Sequence, residues 1–188
     1  MGNSVVHNRL VARVTTTCDH ASVPAIRFVQ LSPAALTALI DGDLPAAGAA
    51  AGHPLSDYLV SESWLWRIRR DQIAGDPASA EWIARAVVAV DEAVVVGHGG
   101  FHGPPDEEGT VEVAYSVDPA YRRRGYAKAI LAALLERAAA DPAVRAVRAS
   151  ISPLNAGSLA TIAGFGFAKA GEQWDPEDGL ELVFLRPV

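Results

Sequence analysis

The chain has 188 residues, half of them hydrophobic, and a net charge of −6. That length and composition suit a single domain with a sizeable core, and an acidic balance with scattered arginines argues against nucleic acid as a partner. The lone cysteine, Cys18, excludes an internal disulfide; no apolar run approaches the roughly 20 residues that span a bilayer and no signal-peptide layout is present, so a cytoplasmic, membrane-free protein is expected.

Residues 1–23 carry the least information. VVHNRLVARVTTT suits an extra strand, a swapped arm or a disordered extension, so this stretch is set apart and 24–188 is taken as one domain. Ile26–Leu31 reads as a strand. Ser32 as N-cap and Pro33 at the first position start a helix over Ala34–Ile40, which Asp41-Gly42 closes. Pro45–Pro54, rich in Ala, Gly and Pro, reads as a flexible loop. Trp64, Leu65, Ile68 and Ile73 recur at near-helical spacing and predict a helix over Ser61–Ile73. Trp82–Val90 and Ala93–His102 read as strands joined at Asp91-Glu92, and Pro104–Gly109 as a polar turn. In Thr110–Val117 the residues Val111, Val113, Tyr115 and Val117 share one face, with Glu112 and Ser116 on the other, as in a half-buried strand. Asp118-Pro119 stops it. From Tyr126, Ile130, Leu131, Leu134, Leu135 and Ala138 trace an amphipathic helix that Asp141-Pro142 ends. A strand (Val144–Ile151), a short helix (Asn155–Ala163) and strands around Phe167–Gln173 and Leu180–Leu185 complete the chain. Without strict alternation, this order indicates an α/β protein of the mixed, α+β kind.

The most informative stretch joins the Thr110 strand to the long helix: Arg122-Arg123-Arg124-Gly125-Tyr126-Ala127. A helix start presents unpaired N–H groups and the positive end of the helix dipole. Three arginines add charge there, and Gly125 lets the backbone approach an anion closely. These residues together read as a pyrophosphate cradle; the plainer alternative is a solvated, charged turn. The pattern R-x-x-G-x-A at Arg122, Gly125 and Ala127, after the strand E-V-A-Y-S-V-D-P, resembles the acetyl-coenzyme A signature of the GNAT N-acetyltransferase superfamily. Ser152-Pro153-Leu154-Asn155-Ala156-Gly157-Ser158, followed by Gly164-Phe165-Gly166-Phe167, resembles that superfamily's next motif, N-x-x-S then G-F. The resemblance covers the chain from Ile26 onward. Around Glu112 and Asn155 it is closest to the branch containing ribosomal-protein N-terminal acetyltransferases.

What the resemblance implies is a central twisted mixed sheet flanked by about four helices and direct transfer of acetyl from acetyl-CoA to a primary amine. It places the cofactor along Tyr115, Ser116 and Val117, with a splayed or bulged strand aiming a backbone N–H near Val117 at the acetyl oxygen. Arg122, Arg123, Arg124, Gly125, Tyr126 and Ala127 would hold the pyrophosphate, and Asn155 and Ser158 the pantetheine arm. Elsewhere Asn155 is simply an N-cap and Ser158 an exposed helical serine. An amine must lose its proton before it attacks, since an α-amino group has a pKa of roughly 7.7–8 and lysine about 10.4. Glu112, the one acid in the Thr110–Val117 strand, is the expected base; an ordinary solvated or cross-strand-paired glutamate is the alternative. The tyrosine that often protonates the departing thiolate in this family falls near Ile162, which has no proton to give. A dedicated acid is helpful rather than obligatory, since a thiol near pKa 8.5 leaves tolerably as its anion; Ser158 or a water is the expected donor, ahead of Tyr126.

His98 and His102 share a strand face, but no third ligand has suitable spacing and no metal is expected. Trp64 and Trp66 read as core, or as one wall of an acceptor pocket, and Trp174 as a similar contributor. The acceptor is an amine on a small molecule or a protein N-terminus, which the sequence does not distinguish. A homodimer is the default oligomer. The competing reading is a regulatory module that binds acyl-CoA without catalysis.

Overall fold

The computed structural model of the protein describes residues 23–177 and 179–188. The extension read over residues 1–23, Val23 apart, and Cys18 within it lie outside the described residues. Seven strands form one sheet: β1 (Ile26–Gln30), β2 (Arg85–Ala89), β3 (Val94–Phe101), β4 (Thr110–Val117), β5 (Ala146–Ile151), β6 (Ala168–Asp175) and β7 (Gly179–Pro187). Their order is β1-β2-β3-β4-β5-β7-β6. Only β4 and β5 run parallel; the other neighbouring pairs are antiparallel. The sheet is therefore mixed, as the element order implies.

The helices are α1 (Pro33–Asp41), α2 (Leu44–Ala51), α3 (Asp57–Ser61), α4 (Ser63–Gly75), α5 (Tyr126–Ala140) and α6 (Ala156–Ile162). Among the described residues six α-helices form where the sequence predicts four, because α2 and α3 arise in stretches not read as helical. The Pro45–Pro54 loop is a correction: Leu44–Ala51 is helical, with Asp43 accepting from the Ala46 N–H at its start and left-handed Gly52 closing its end. Proline in the first turn needs no N–H partner, and alanine is the best helix former, so the "loop" composition was a capped helix.

α5 turns Ile130, Leu131, Leu134 and Ala138 fully into the core. Burying a side chain of the Leu or Ile class contributes roughly 1.5–3 kcal/mol, so this face fixes α5 against the sheet. α3 and α4 lie against the opposite face, where Trp66 meets the ring of His98 edge-on at 5.3 Å. Trp66 is core at 1% exposure, whereas Trp64 is 56% exposed. No helix among the described residues is long and apolar enough to cross a membrane.

β3 and β4 approach unusually closely at the end of β4. Gly97 pairs with Val117, and a Cβ on Gly97 would stand 2.2 Å from the Ser116 carbonyl oxygen and 3.1 Å from the Val117 Cα. Gly97→Ala is expected to cost about 1–3 kcal/mol through overpacking, read as a lower urea midpoint. An unchanged midpoint would contradict this approach of the two strands.

Candidate functional site

β4 pairs with β3 over Val113–Val117, and its parallel ladder with β5 covers only Thr110–Glu112 against Ala146–Arg148. Beyond Glu112 the two strands part. The His102 N–H donates to the Glu112 carbonyl at 2.8 Å and the Asp118 N–H to the Val96 carbonyl at 2.9 Å, so even-numbered residues aim their backbone groups at β3. By the two-residue period of a strand, the N–H groups of Tyr115 and Val117 face the side that β5 has left. No register shift interrupts the β3–β4 pairing; the expected splay is present and comes from divergence, not from a bulge. Arg122 Nε donates to the Val117 carbonyl at 3.1 Å, which satisfies part of the open edge.

A cavity of about 680 Å³ opens into this gap, within the ~300–1,000 Å³ usual for small-molecule sites. Tyr115, Ser116 and Val117 form one wall. Tyr121, Arg122, Arg123 and Gly125 line the turn, and Tyr126, Ala127 and Lys128 the first turn of α5. Asn155, Gly157, Ser158 and Thr161 close it from α6. The structure thus brings ten of the twelve sequence-predicted site residues around one space, with two standing apart. Arg124 places its guanidinium over the Tyr121 ring, 5.3 Å from the centroid, and is not part of the lining. Glu112 also lies outside the lining, at the last paired position before the gap.

The start of α5 is chemically distinctive. Ser32, Asp43 and Asn155 each cap their helix with a side-chain oxygen. Gly125, the N-cap of α5, supplies no such group and sits in the left-handed region at φ 87°. The first bond within the helix runs from the Ala129 N–H to the Gly125 carbonyl at 3.1 Å. The N–H groups of Tyr126, Ala127 and Lys128 therefore have no acceptor further up the helix. They point into a cavity edged by Arg122, Arg123 and Lys128, a combination suited to an anion.

At the other walls, Asn155 Oδ1 accepts from the Ser158 N–H at 3.0 Å. The Tyr115 phenol is hydrogen-bonded to Thr161, and burial pushes its pKa up to about 12. Tyr58 on α3 donates its hydroxyl to Ser116 Oγ at 2.7 Å. At the vertex, Arg148 Nε stands 3.5 Å from Glu112 Oε2, with both side chains partly exposed. Arg148 also reaches Ser150 Oγ and the Gln173 side-chain oxygen, and Gln173 donates to Glu181 at 2.8 Å. This polar network lies on the sheet face opposite Val147 and Ile151. Burial lowers the His102 pKa and the Glu112 charge opposes that shift.

The sequence did not signal Tyr121, Lys128, Gly157 or Thr161 as lining residues, although helical spacing from Tyr126 and Ser158 could have found Lys128 and Thr161. Tyr58 had no local signal, since it is far from Ser116 in the chain. Ile162, at the position of the missing tyrosine, is buried in the core at 3% exposure. His98 packs between Tyr58 and Trp66. Among the described residues no group of three or more His, Cys, Asp or Glu is placed to hold a metal ion.

A family model for the acetyltransferase (GNAT) domain matches residues 37–168. Over 86 residues the chain is 33% identical to the uncharacterized N-acetyltransferase YjdG of Bacillus subtilis (strain 168), covering 46% of this chain and 49% of that protein. The chain thus spans about half the length of this curated relative. Among solved structures, Mycobacterium smegmatis RimJ in complex with CoA-disulfide superposes with a TM-score of 0.61 at 16% identity, covering 88% of this chain and 83% of that one. The ribosomal-protein-S5-alanine acetyltransferase from Vibrio fischeri gives 0.60 at 14% identity, covering 86% and 92%. At such identities the likeness is one of fold.

Burial, with Arg69 adding to it, lowers the His98 pKa from 6.5 to about 4. Between these values the unfolded chain takes up a proton that the fold refuses, so stability falls as pH drops from 6.5 toward 4. A gap of this size amounts to about 3 kcal/mol. Urea unfolding of His98→Phe is expected to lose most of this acid sensitivity; an equal loss in both proteins would assign it to other groups.

Proposed function

The chain belongs to the GNAT acetyltransferase family, and from that premise we propose that it transfers acetyl from acetyl-CoA directly to a primary amine while both substrates are bound. One observation carries the reading: the gap between β4 and β5 opens onto an α5 start whose N–H groups no side chain caps. A diphosphate fits that start, held by the N–H groups of Tyr126 to Lys128 and by Arg122, Arg123 and Lys128. Arg124, stacked on Tyr121, adds charge nearby. The pantetheine arm runs along the free edge of β4 beside Tyr115, Ser116 and Val117, with Asn155 and Ser158 on its other side.

The chemistry follows from what each group can do. The N–H groups of Tyr115 and Val117 are fixed by the strand, so one can stabilise the oxyanion without reorganising, usually the largest catalytic term. Glu112 sits where the gap begins and takes the proton from the attacking nitrogen, directly or through water. Its partner Arg148 holds the carboxylate at the vertex. The amine enters from the face carrying Arg148, Ser150, Gln173 and Glu181, away from α5. Likeness to ribosomal-protein acetyltransferases favours a protein N-terminus as the acceptor, with a small amine as the other class. The protein works in the cytoplasm, where acetyl-CoA is made available.

Thiol release from acetyl-CoA, measured against a panel of N-terminal peptides, polyamines and aminoglycosides, tests the assignment. Turnover with one class identifies the acceptor. Tight CoA binding without turnover would support a regulatory acyl-CoA module, and absence of binding would remove the reading altogether. Arg123→Ala and Lys128→Ala are each expected to weaken CoA binding about tenfold, a loss in keeping with a charged hydrogen bond, with melting temperatures unchanged. Glu112→Gln should lower kcat by about 10²–10⁴ while CoA affinity persists; an unaltered rate and pH profile would clear Glu112 of the role.

A further inference from the structure

Ile162 leaves open what receives the negative charge on the departing sulfur. On the reading above, which this inference rests on, we infer that Ser116 donates its hydroxyl hydrogen bond to the sulfur of CoA, and that Tyr58 is the positioning residue that directs it there. Ser116 lines the cavity and lies next to Val117, whose N–H faces the gap. Its Oγ already accepts from the Tyr58 hydroxyl at 2.7 Å. With that lone pair engaged, the Ser116 proton turns away from Tyr58, and among the described residues Ser116 donates to no protein acceptor. The leaving sulfur and the carbonyl oxygen are bonded to the same carbon, so donors on adjacent residues of one strand can serve both.

The pair is held rigidly. The Tyr58 ring stacks on His98 with 6.0 Å between centroids and 16° between planes, and Trp66 meets the other side of His98 edge-on. His98 is itself opposite Ser116 in the β3–β4 register. Nothing comparable fixes the Ser158 hydroxyl: it is the Ser158 backbone N–H that Asn155 holds.

Magnitudes decide between giving a proton and giving a hydrogen bond. A cysteine thiol, the reference nearest to the thiol of CoA, has a pKa of about 8.5 and a tyrosine about 10. Burial raises Tyr58 further, with Glu62 and Asp118 adding to the rise while Ser116 and Arg122 oppose it. Full proton transfer to sulfur is thus uphill. The step is written accordingly: the nitrogen forms its bond to the carbonyl carbon and its proton passes to Glu112. The C–S bond then breaks with both electrons on sulfur. The thiolate leaves as an anion, stabilised by the Ser116 O–H and protonated later by water.

The thiol pKa of bound CoA tests this without any acceptor. Protein saturated with CoA is titrated by thiolate absorbance against protein saturated with acetyl-CoA, a difference that cancels Cys18. The wild type is expected to hold the thiol below its free value. Ser116→Ala should raise it by about one pH unit, as loss of a charge-assisted hydrogen bond predicts; Tyr58→Phe should raise it by less, and Ser116→Thr should restore it. CoA affinity and melting temperature report whether each variant is folded, and Tyr58→Phe carries the test if Ser116→Ala is not. Bound CoA with the same thiol pKa in wild type, Ser116→Ala and Tyr58→Phe overturns this inference alone. A wild type that binds no CoA overturns the acetyltransferase reading with it.

Discussion

The early end of the β4–β5 ladder is the constraint on which the rest of the structure depends. Parallel pairing lasts only from Thr110 to Glu112, after which one edge of β4 is surrendered inside the protein. Backbone N–H and C=O groups left unpaired away from water are costly, so the fold must either cover this edge or give it to a ligand. It does some of each. Arg122 returns to the Val117 carbonyl, while the N–H groups on the same edge face the cavity. The gap opens a cavity because the sheet has a defect of fixed shape there.

The elements around the gap are anchored by ordinary packing. α5 is fixed by its buried Ile130, Leu131 and Leu134, so its uncapped start is held in place. The turn from Asp118 to Gly125 includes two residues in the left-handed region, Arg123 at φ 65° and Gly125 at φ 87°. For Arg123 such a backbone is uncommon and stores strain. Strain at a turn that lines the cavity is consistent with a backbone shaped for a ligand. On the opposite face, α3 and α4 support β4 through Tyr58, His98 and Trp66. That face is aromatic beside Ser116, and polar beside Glu112, where Arg148, Gln173 and Glu181 converge. One strand thus separates a side edged by Arg122, Arg123 and the uncapped start of α5 from a side carrying Glu112, Arg148, Gln173 and Glu181.

Much of the site was legible because its residues are neighbours in sequence. Arg122 to Ala127 announce themselves through a turn, a glycine and a helix start; Asn155 and Ser158 through capping chemistry. Misreadings have identifiable physical causes. The Pro45–Pro54 stretch was judged by its glycine and proline content, while its capping residues Asp43 and Gly52 were the better guide. Arg124 looks equivalent to Arg122 and Arg123 in a run of three, yet the turn sends it over Tyr121. Side-chain direction within a turn depends on φ and ψ, which identical residue types do not reveal.

By itself the sequence determined most of the element types, the apolar face of α5 and the glycine-led, uncapped start of that helix, because these depend on residues within a turn or two of each other. Only the tertiary structure decided where β5 leaves β4, that Glu112 stands at the vertex with Arg148, and that Tyr58 reaches Ser116. Those facts join segments far apart in the chain through the balance of packing on both sheet faces. No local pattern of residues encodes that balance.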